Sequence, residues 1–319
     1  MSEVDWHREM LADRRRVQAF GGAVLSAVQP GDVVLDLGTG SGLLALIACR
    51  AGAARVYAIE QGHIIDVARQ IARENGLADK ITFFHGCSTE VELPEPVDLI
   101  ISEIIGSFGL EEQILESLSN ARRRFLKPEG RLMPDGLDIF LAPTEEGAEY
   151  RGWLGKMQDD WELDFSALDD FSAHVVQGIC ADPGKFLGEP ARLLHCDLYR
   201  AEPGRIEDEV GVEIQRSGEL AGWTGWFSAC YKGGIVLSTA PPLTESSWEN
   251  VLFPIGEPVR VAPGDVACLK VDLDDPFWTW RFSMSRPPVD RVMGDFFSYP
   301  PSVFKPPPEE RNGPSKNSR

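Results

Sequence analysis

The stretch DVVLDLGTGSGLLALIACRAG, Asp32 to Gly52, restricts the fold more than any other part of this chain. Its first residues form an apolar, valine-rich run that is too short for a helix and suits a buried strand. Gly38, Gly40 and Gly42 follow, and then an apolar segment of helical length closed by Gly52. A strand that turns directly into a helix delivers the next strand parallel to the first, because parallel neighbours need a crossover. The alternation continues: RVYAIE, ITFFHG and VDLIIS read as strands, IIDVARQIARENG and EEQILESLSNARRRFL as helices. Strands this apolar are covered on both faces, so the block reads as a doubly wound, Rossmann-like α/β domain.

Before this block, REMLADRRRVQAFGGAVLSAV keeps near-helical spacing until QPGD stops it. After about residue 143 the pattern changes. EYRGWLGKMQDDWELDFSALDDF is aromatic and acidic, and reads as a partner-binding arm. Then come β-like runs between Gly and Pro turns, among them GWTGWFSACY, NVLFPIG and FWTWRFSM, as in a small barrel or sandwich. The expected division is an N-terminal helical segment (1–30), a Rossmann-like domain (31–142), a β-barrel-like domain (143–286) with a helical arm at about 150–172, and a proline-rich tail (287–319), partly disordered.

A net charge of -19 lacks the basic footprint of a nucleic-acid binder and repels acidic membranes. The six cysteines are scattered without a CxxC, and the five histidines make no metal-ligand spacing with them, so no metal is expected. MSEVDWHREMLADRRR is charged and lacks an apolar signal core, and no apolar run approaches the roughly 20 residues of a membrane helix. The expectation is a soluble, cytoplasmic protein.

Asp36 lies near the end of the first strand, before the glycines, and Glu60 ends the second. Glycine lets the backbone turn tightly and approach a ligand that a Cβ would exclude. An acid at the end of the second strand accepts hydrogen bonds from a ribose. The dinucleotide pattern needs its third glycine at residue 43, where Leu43 stands; the glycine comes one residue early. That spacing favours S-adenosylmethionine over NAD.

The run SEIIGSFGLEEQILES then places Glu103 at the tip of the apolar strand VDLIIS, with Glu111 and Glu112 a short loop later. A carboxylate buried there is costly unless it finds a partner. With HREMLADRRR, VLDLGTGSGLLALIACRAGAARVYAIE, TEVELPEPVDLIISEIIGSFGLEE and SSWENVLFPIGEPVRVAPGD, the chain resembles the protein arginine methyltransferases over nearly its whole length. The acidic run is similar to that family's double-glutamate loop, in which two glutamates nine residues apart clamp the substrate guanidinium. Glu103 matches the first, and Glu112 matches the second better than Glu111, which is left to favour the positive end of the following helix. The SE-xx-GSF wording is closest to the branch that makes symmetric dimethylarginine.

The chemistry suits that assignment. A guanidinium holds its proton to above about pH 12, so removing it beforehand would cost about 8 kcal/mol at pH 7. Its nitrogen must also approach a sulfonium, a second cation. Two carboxylates offset the repulsion, each by about 4 kcal/mol at about 4 Å with an effective dielectric near 20. They also grip the planar fork and aim one nitrogen. The departing proton goes to Glu112 or to water.

The resemblance further implies that Arg16 binds the cofactor carboxylate, that His7 and Met10 line the cofactor and substrate sites, and that Ser88 and Thr89 contact adenine, Thr89 replacing the family's usual acid. Trp248 falls where a wall of the arginine channel is expected, or a barrel-core position. Two features depart from the family. Its threonine–histidine–tryptophan loop reads Ser246, Ser247, Trp248, so Asp13 is expected to lose a histidine partner. Its tyrosine-rich lid has no counterpart before MSEVDWH, leaving Trp6 or the tail to close the site. The expected function is transfer of methyl from S-adenosylmethionine to an arginine guanidino nitrogen in a protein or peptide, by a homodimer. Free L-arginine or a small guanidino metabolite is the alternative substrate, and a non-catalytic cofactor-binding scaffold the minor one.

Overall fold

A computed structural model describes residues 2–147, 174–231, 234–243, 246–274, 277–286 and 288–295. The expected arm at about 150–172 and the end of the expected tail lie outside the described residues.

The N-terminal stretch forms two helices rather than one, α1 (Glu3–Ala12) and α2 (Arg14–Ala27). Asp13 separates them: its backbone is extended, and its side chain accepts the Arg16 N–H as the N-cap of α2. An acid at that position terminates one helix and starts the next.

The parallel block contains β1 (Val33–Leu37), α3 (Leu43–Ala51), β2 (Arg55–Glu60), α4 (Ile64–Glu74), β3 (Ile81–His85), β4 (Val97–Ser102), α5 (Ile114–Phe125) and β5 (Leu126–Met133). The strands pair in parallel in the order β3-β2-β1-β4-β5. Val34, Leu35, Val56, Leu99, Ile100 and Ile101 are wholly buried in it. Each such aliphatic side chain contributes about 1.5–3 kcal/mol by leaving water. The order reverses between β1 and β4, which opens a crevice at the carboxyl ends of those strands. Leu37 pairs with Ile59 and with Ser102, so the glycine loop, Glu60 and Glu103 emerge side by side.

The change of sheet falls between Met133 and Gly136, earlier than residue 142. The next strand, β6 (Gly136–Thr144), already pairs antiparallel with β8 (Ala191–Asp197) and β10 (Gly218–Tyr231). This sheet runs β7 (Gln177–Ile179), β12 (Asn250–Val261), β10, β6, β8, with β11 (Ile235–Ser238) on β10. A second antiparallel sheet runs β15 (Pro288–Asp295), β14 (Phe277–Ser285), β13 (Val266–Asp274) and β9 (Ile206–Glu213). The two sheets make the barrel-like half, and β15 carries it past residue 287, where the tail was expected to begin.

The halves are joined through the loop after β4. Phe108, wholly buried, meets Phe253 of β12 at 5.0 Å and Trp278 of β14 at 5.8 Å between ring centroids. Gly225 of β10 makes room for it, since a Cβ there would come within 2.5 Å of the Phe108 ring. Gly109 has φ +92°, and a Cβ would sit 2.8 Å from Ile139 Cδ1 and 3.1 Å from Phe227 Cβ. Gly109→Ala should therefore strain both backbone and packing, lowering stability by about 1–3 kcal/mol in chemical denaturation. An unchanged unfolding midpoint would show that the loop adjusts freely against the barrel.

Candidate active site

Three elements build the site at the carboxyl edge of the parallel sheet. The first is the glycine loop. Gly38, Gly40 and Gly42 have φ of +73°, +53° and +87°. A Cβ on Gly38 would lie 2.5 Å from Ile104 Cγ2, and one on Gly42 3.2 Å from Ala68 Cβ. Left-handed backbone and close approach together require glycine here. Asp36 is buried beneath the loop, where Oδ2 accepts the Thr39 hydroxyl at 2.6 Å and the Ala45 N–H at 2.9 Å. Burial pushes its carboxyl up to about 7 against those hydrogen bonds. Asp36 thus shapes the loop from below, and its Oδ1 has no partner among the described residues. Glu60 accepts the Gly40 N–H at 2.9 Å and the Gly62 N–H at 2.8 Å. These residues fit S-adenosylmethionine: a left-handed glycine turn at the carboxyl end of β1, with the Glu60 acid at its side.

The second element is α1, laid across that loop. Glu3 accepts the Ile64 N–H at 3.3 Å, and the His7 ring lies 2.6 Å from where a Gly40 Cβ would be. Burial holds the His7 imidazole below its usual pKa, opposed by Glu60 and Glu3. Trp6 does not close the site as expected; at 44% exposure it is on the outside of the helix that puts His7 inside. Met10 is half-buried on α1. Ser88 and Thr89 are tied to α5, where their carbonyls accept from Arg124 at 2.9 and 3.0 Å.

The third element is the acidic loop. Glu103 follows β4 with its side chain only 14% exposed. Oε2 is paired with the Arg16 guanidinium, and the buried Oε1 has no partner among the described residues. Desolvation raises the Glu103 carboxyl to about 7; Arg16 opposes this, while Glu112 and Asp36 add to it. Glu112, nine residues on, is near enough for its charge to act on the Glu103 carboxyl. Glu112 is exposed by surface area, yet crowding by protein still raises its carboxyl, with Arg16 opposing. It has φ +62° and Gln113 φ +57°, the two non-glycine left-handed residues among those described. Such backbone costs about 1–3 kcal/mol per residue and is characteristic of functional sites.

Helix α5 begins at Ile114, so Glu111 does not serve its positive end as the sequence implied. It folds back instead, accepting the Phe108 N–H at 2.7 Å. Gly106 permits this, since a Cβ would lie 2.5 Å from Glu111 Oε2. The flanking glycines in IGSFGL were the available signal for a loop closing on a buried aromatic.

Arg16 is the hub. Besides Glu103 it donates to Ser247 Oγ at 3.1 Å, and its guanidinium carbon lies 4.3 Å over the Trp248 ring. Trp248 sits in the core against Phe20 and Phe227, lies under the Arg16 guanidinium and donates Nε1–H to the Ile105 carbonyl at 3.2 Å. Asp13, expected to lack a histidine partner, accepts from Ser247 N–H at 2.8 Å, Ser247 Oγ at 3.2 Å and Ser246 Oγ at 3.3 Å. Burial would raise its carboxyl, but the hydrogen bonds from Arg16 and Ser247 more than offset that and lower it.

Fold and site define a class I S-adenosylmethionine-dependent methyltransferase. The family described as ribosomal protein L11 methyltransferase (PrmA) matches residues 22–138, the cofactor half. Protein arginine N-methyltransferase 2 of Xenopus tropicalis is 32% identical over 81% of this chain; the match spans 64% of that longer protein. Arginine N(omega)-methyltransferase of Streptomyces achromogenes subsp. streptozoticus is 32% identical over 88% of this chain and 78% of its own. In structure, the Trypanosoma brucei PRMT1 enzyme-prozyme heterotetrameric complex with AdoHcy aligns at TM-score 0.82 and 23% identity, over 91% of this chain and 97% of that one. The chain belongs to the protein arginine N-methyltransferase family.

The Glu111 carboxyl, raised from 4.5 to about 7 by burial, binds a proton more readily folded than unfolded. Stability is therefore lost as pH rises from 4.5 to about 7. Glu111→Gln keeps an acceptor for Phe108 and removes that charge. It should stabilise the protein by about 1–3 kcal/mol at pH 8 and by little at pH 4.5, read as denaturant midpoints. Equal effects at both pH values would contradict a buried, titrating Glu111.

Proposed function

We propose that this chain transfers a methyl group from S-adenosylmethionine to an arginine guanidino nitrogen in a protein or peptide. One observation carries the reading: the Glu103 carboxylate is buried, with Oε2 held by Arg16 and Oε1 without a partner among the described residues. A buried acceptor left open costs about 1–3 kcal/mol and is kept where a ligand completes it. A guanidinium is a donor-only, planar cation that fits such an oxygen.

When bound, S-adenosylmethionine supplies an electrophilic methyl on a sulfonium. Gly38, Gly40 and Gly42, with Glu60 and His7, hold that cofactor, Asp36 stiffening the loop from below. Glu103 and Glu112 grip the substrate guanidinium and turn one nitrogen toward the methyl. Trp248, already the floor for Arg16, forms part of the same channel. Once the nitrogen gains its methyl it sheds a proton, which passes to Glu112 or to water. Arg16 orients Glu103 and favours its ionised form; in this reading it also reaches the cofactor carboxylate.

Free L-arginine is the second reading, favoured by the match to a streptomycete arginine N(omega)-methyltransferase over 88% of the chain. Incubation with methyl-labelled S-adenosylmethionine, an arginine–glycine-rich peptide and L-arginine, read by mass spectrometry, decides between them. Label on the peptide supports the first reading, label on arginine the second, and label on neither overturns both. Assembly as a homodimer through the segment at about 150–172, and a cytoplasmic location, belong to the same proposal. The oligomeric state named for the Trypanosoma brucei relative, a heterotetramer, supports assembly.

Glu103→Gln should cut turnover at least 100-fold while S-adenosylmethionine affinity stays within a few fold. Near-normal rates would remove the two-glutamate mechanism. In the natural chain, kcat/KM should rise with pH and level off near 7, where Glu103 ionises. A flat profile between pH 5.5 and 8 would place the essential charge elsewhere.

A further inference from the structure

Tyr231, the last residue of β10, has no part in the site as read from sequence. It is 4% exposed, and its hydroxyl has no hydrogen-bond partner among the described residues. Trp223 Nε1 and Thr224 Oγ1 of β10 also lack partners among the described residues, but Tyr231 is the one whose ring packing leads toward Arg16. Its ring meets Phe20 edge-on at 5.7 Å. Phe20 also touches Trp248 at 6.4 Å, and Trp248 floors Arg16, the partner of Glu103. Burial pushes the phenol well above its usual pKa, Glu103 adding to the rise and Arg16 opposing it. Tyr231 thus stays a neutral hydroxyl, and neither it nor Glu103 Oε1 has a partner among the described residues.

We propose that Tyr231 is a specificity-determining ligand of the substrate, its buried hydroxyl accepting one guanidinium N–H and so selecting which nitrogen faces the methyl donor. The inference rests on the two-glutamate reading above. A guanidinium brings five N–H donors, more than the open oxygen of Glu103 and the carboxylate of Glu112 take alone. A further carboxylate would add repulsion between buried acids, whereas a phenol adds an acceptor without charge. Fixing the third edge of a planar cation limits its rotation, which decides the nitrogen methylated and the room left for a second methyl.

The test compares Tyr231→Phe with the natural chain. The variant keeps the ring on Phe20 and removes only the hydroxyl, so its melting temperature should be unchanged or about 2 °C higher. Binding of L-arginine and of an arginine–glycine-rich peptide to the protein saturated with S-adenosylhomocysteine is measured by calorimetry. S-adenosylhomocysteine affinity, kcat/KM and the mass-spectrometric pattern of methylated nitrogens are measured alongside. The expected result is cofactor affinity within twofold, kcat/KM lower by about 10- to 100-fold, and a changed ratio of methylated positions. Wild-type guanidine binding with the same rate and product pattern in Tyr231→Phe would overturn the role of Tyr231 and leave the two-glutamate site standing. Absence of guanidine binding and methylation in the natural chain would overturn that reading, and the role of Tyr231 with it.

Discussion

The buried carboxylate of Glu103 needs a cation, and the architecture of the site follows from meeting that need in part. Arg16 supplies charge to one oxygen and leaves the other open. Placing Arg16 there requires a helix that starts beside the sheet edge, which is why Asp13 breaks the N-terminal stretch and caps α2. Asp13 is in turn held by Ser246 and Ser247, from the loop that also presents Trp248. Two N-terminal helices, a strand end and a barrel loop thus converge on a single ion pair.

The same region concentrates what is unfavourable elsewhere in a folded chain. Asp36, Glu103 and Glu111 are all raised to about 7 by burial, and Glu112 and Gln113 hold left-handed backbone. Among the described residues, buried atoms of Asp36, Glu103 and Glu111 in this region have no partner, and neither has the Tyr231 hydroxyl. Proteins retain such features where activity depends on a pre-shaped, incompletely satisfied site. The hydrophobic anchor at Phe108 is what supports them: aromatic packing on Phe253 and Trp278 fixes the loop that carries both glutamates. The barrel-like half therefore sets the geometry of acids that belong, by sequence, to the other half.

Much of this was legible in the chain itself. Short apolar strands with glycine turns and helices specify a parallel sheet, because period and turn chemistry are local properties. The glycine loop, Glu60 and the spacing of Glu103 and Glu112 were visible for the same reason, each being a short motif at the end of a strand. What sequence could not show was pairing across long separations. That Arg16 holds Glu103, that two serines serve Asp13, that Glu111 folds back on Phe108 instead of serving a helix, and that the Tyr231 ring packs on Phe20 all depend on which elements pack together. Local propensity fixes neither the partner of a buried charge nor the direction of a loop; burial and close packing across the two halves decide both.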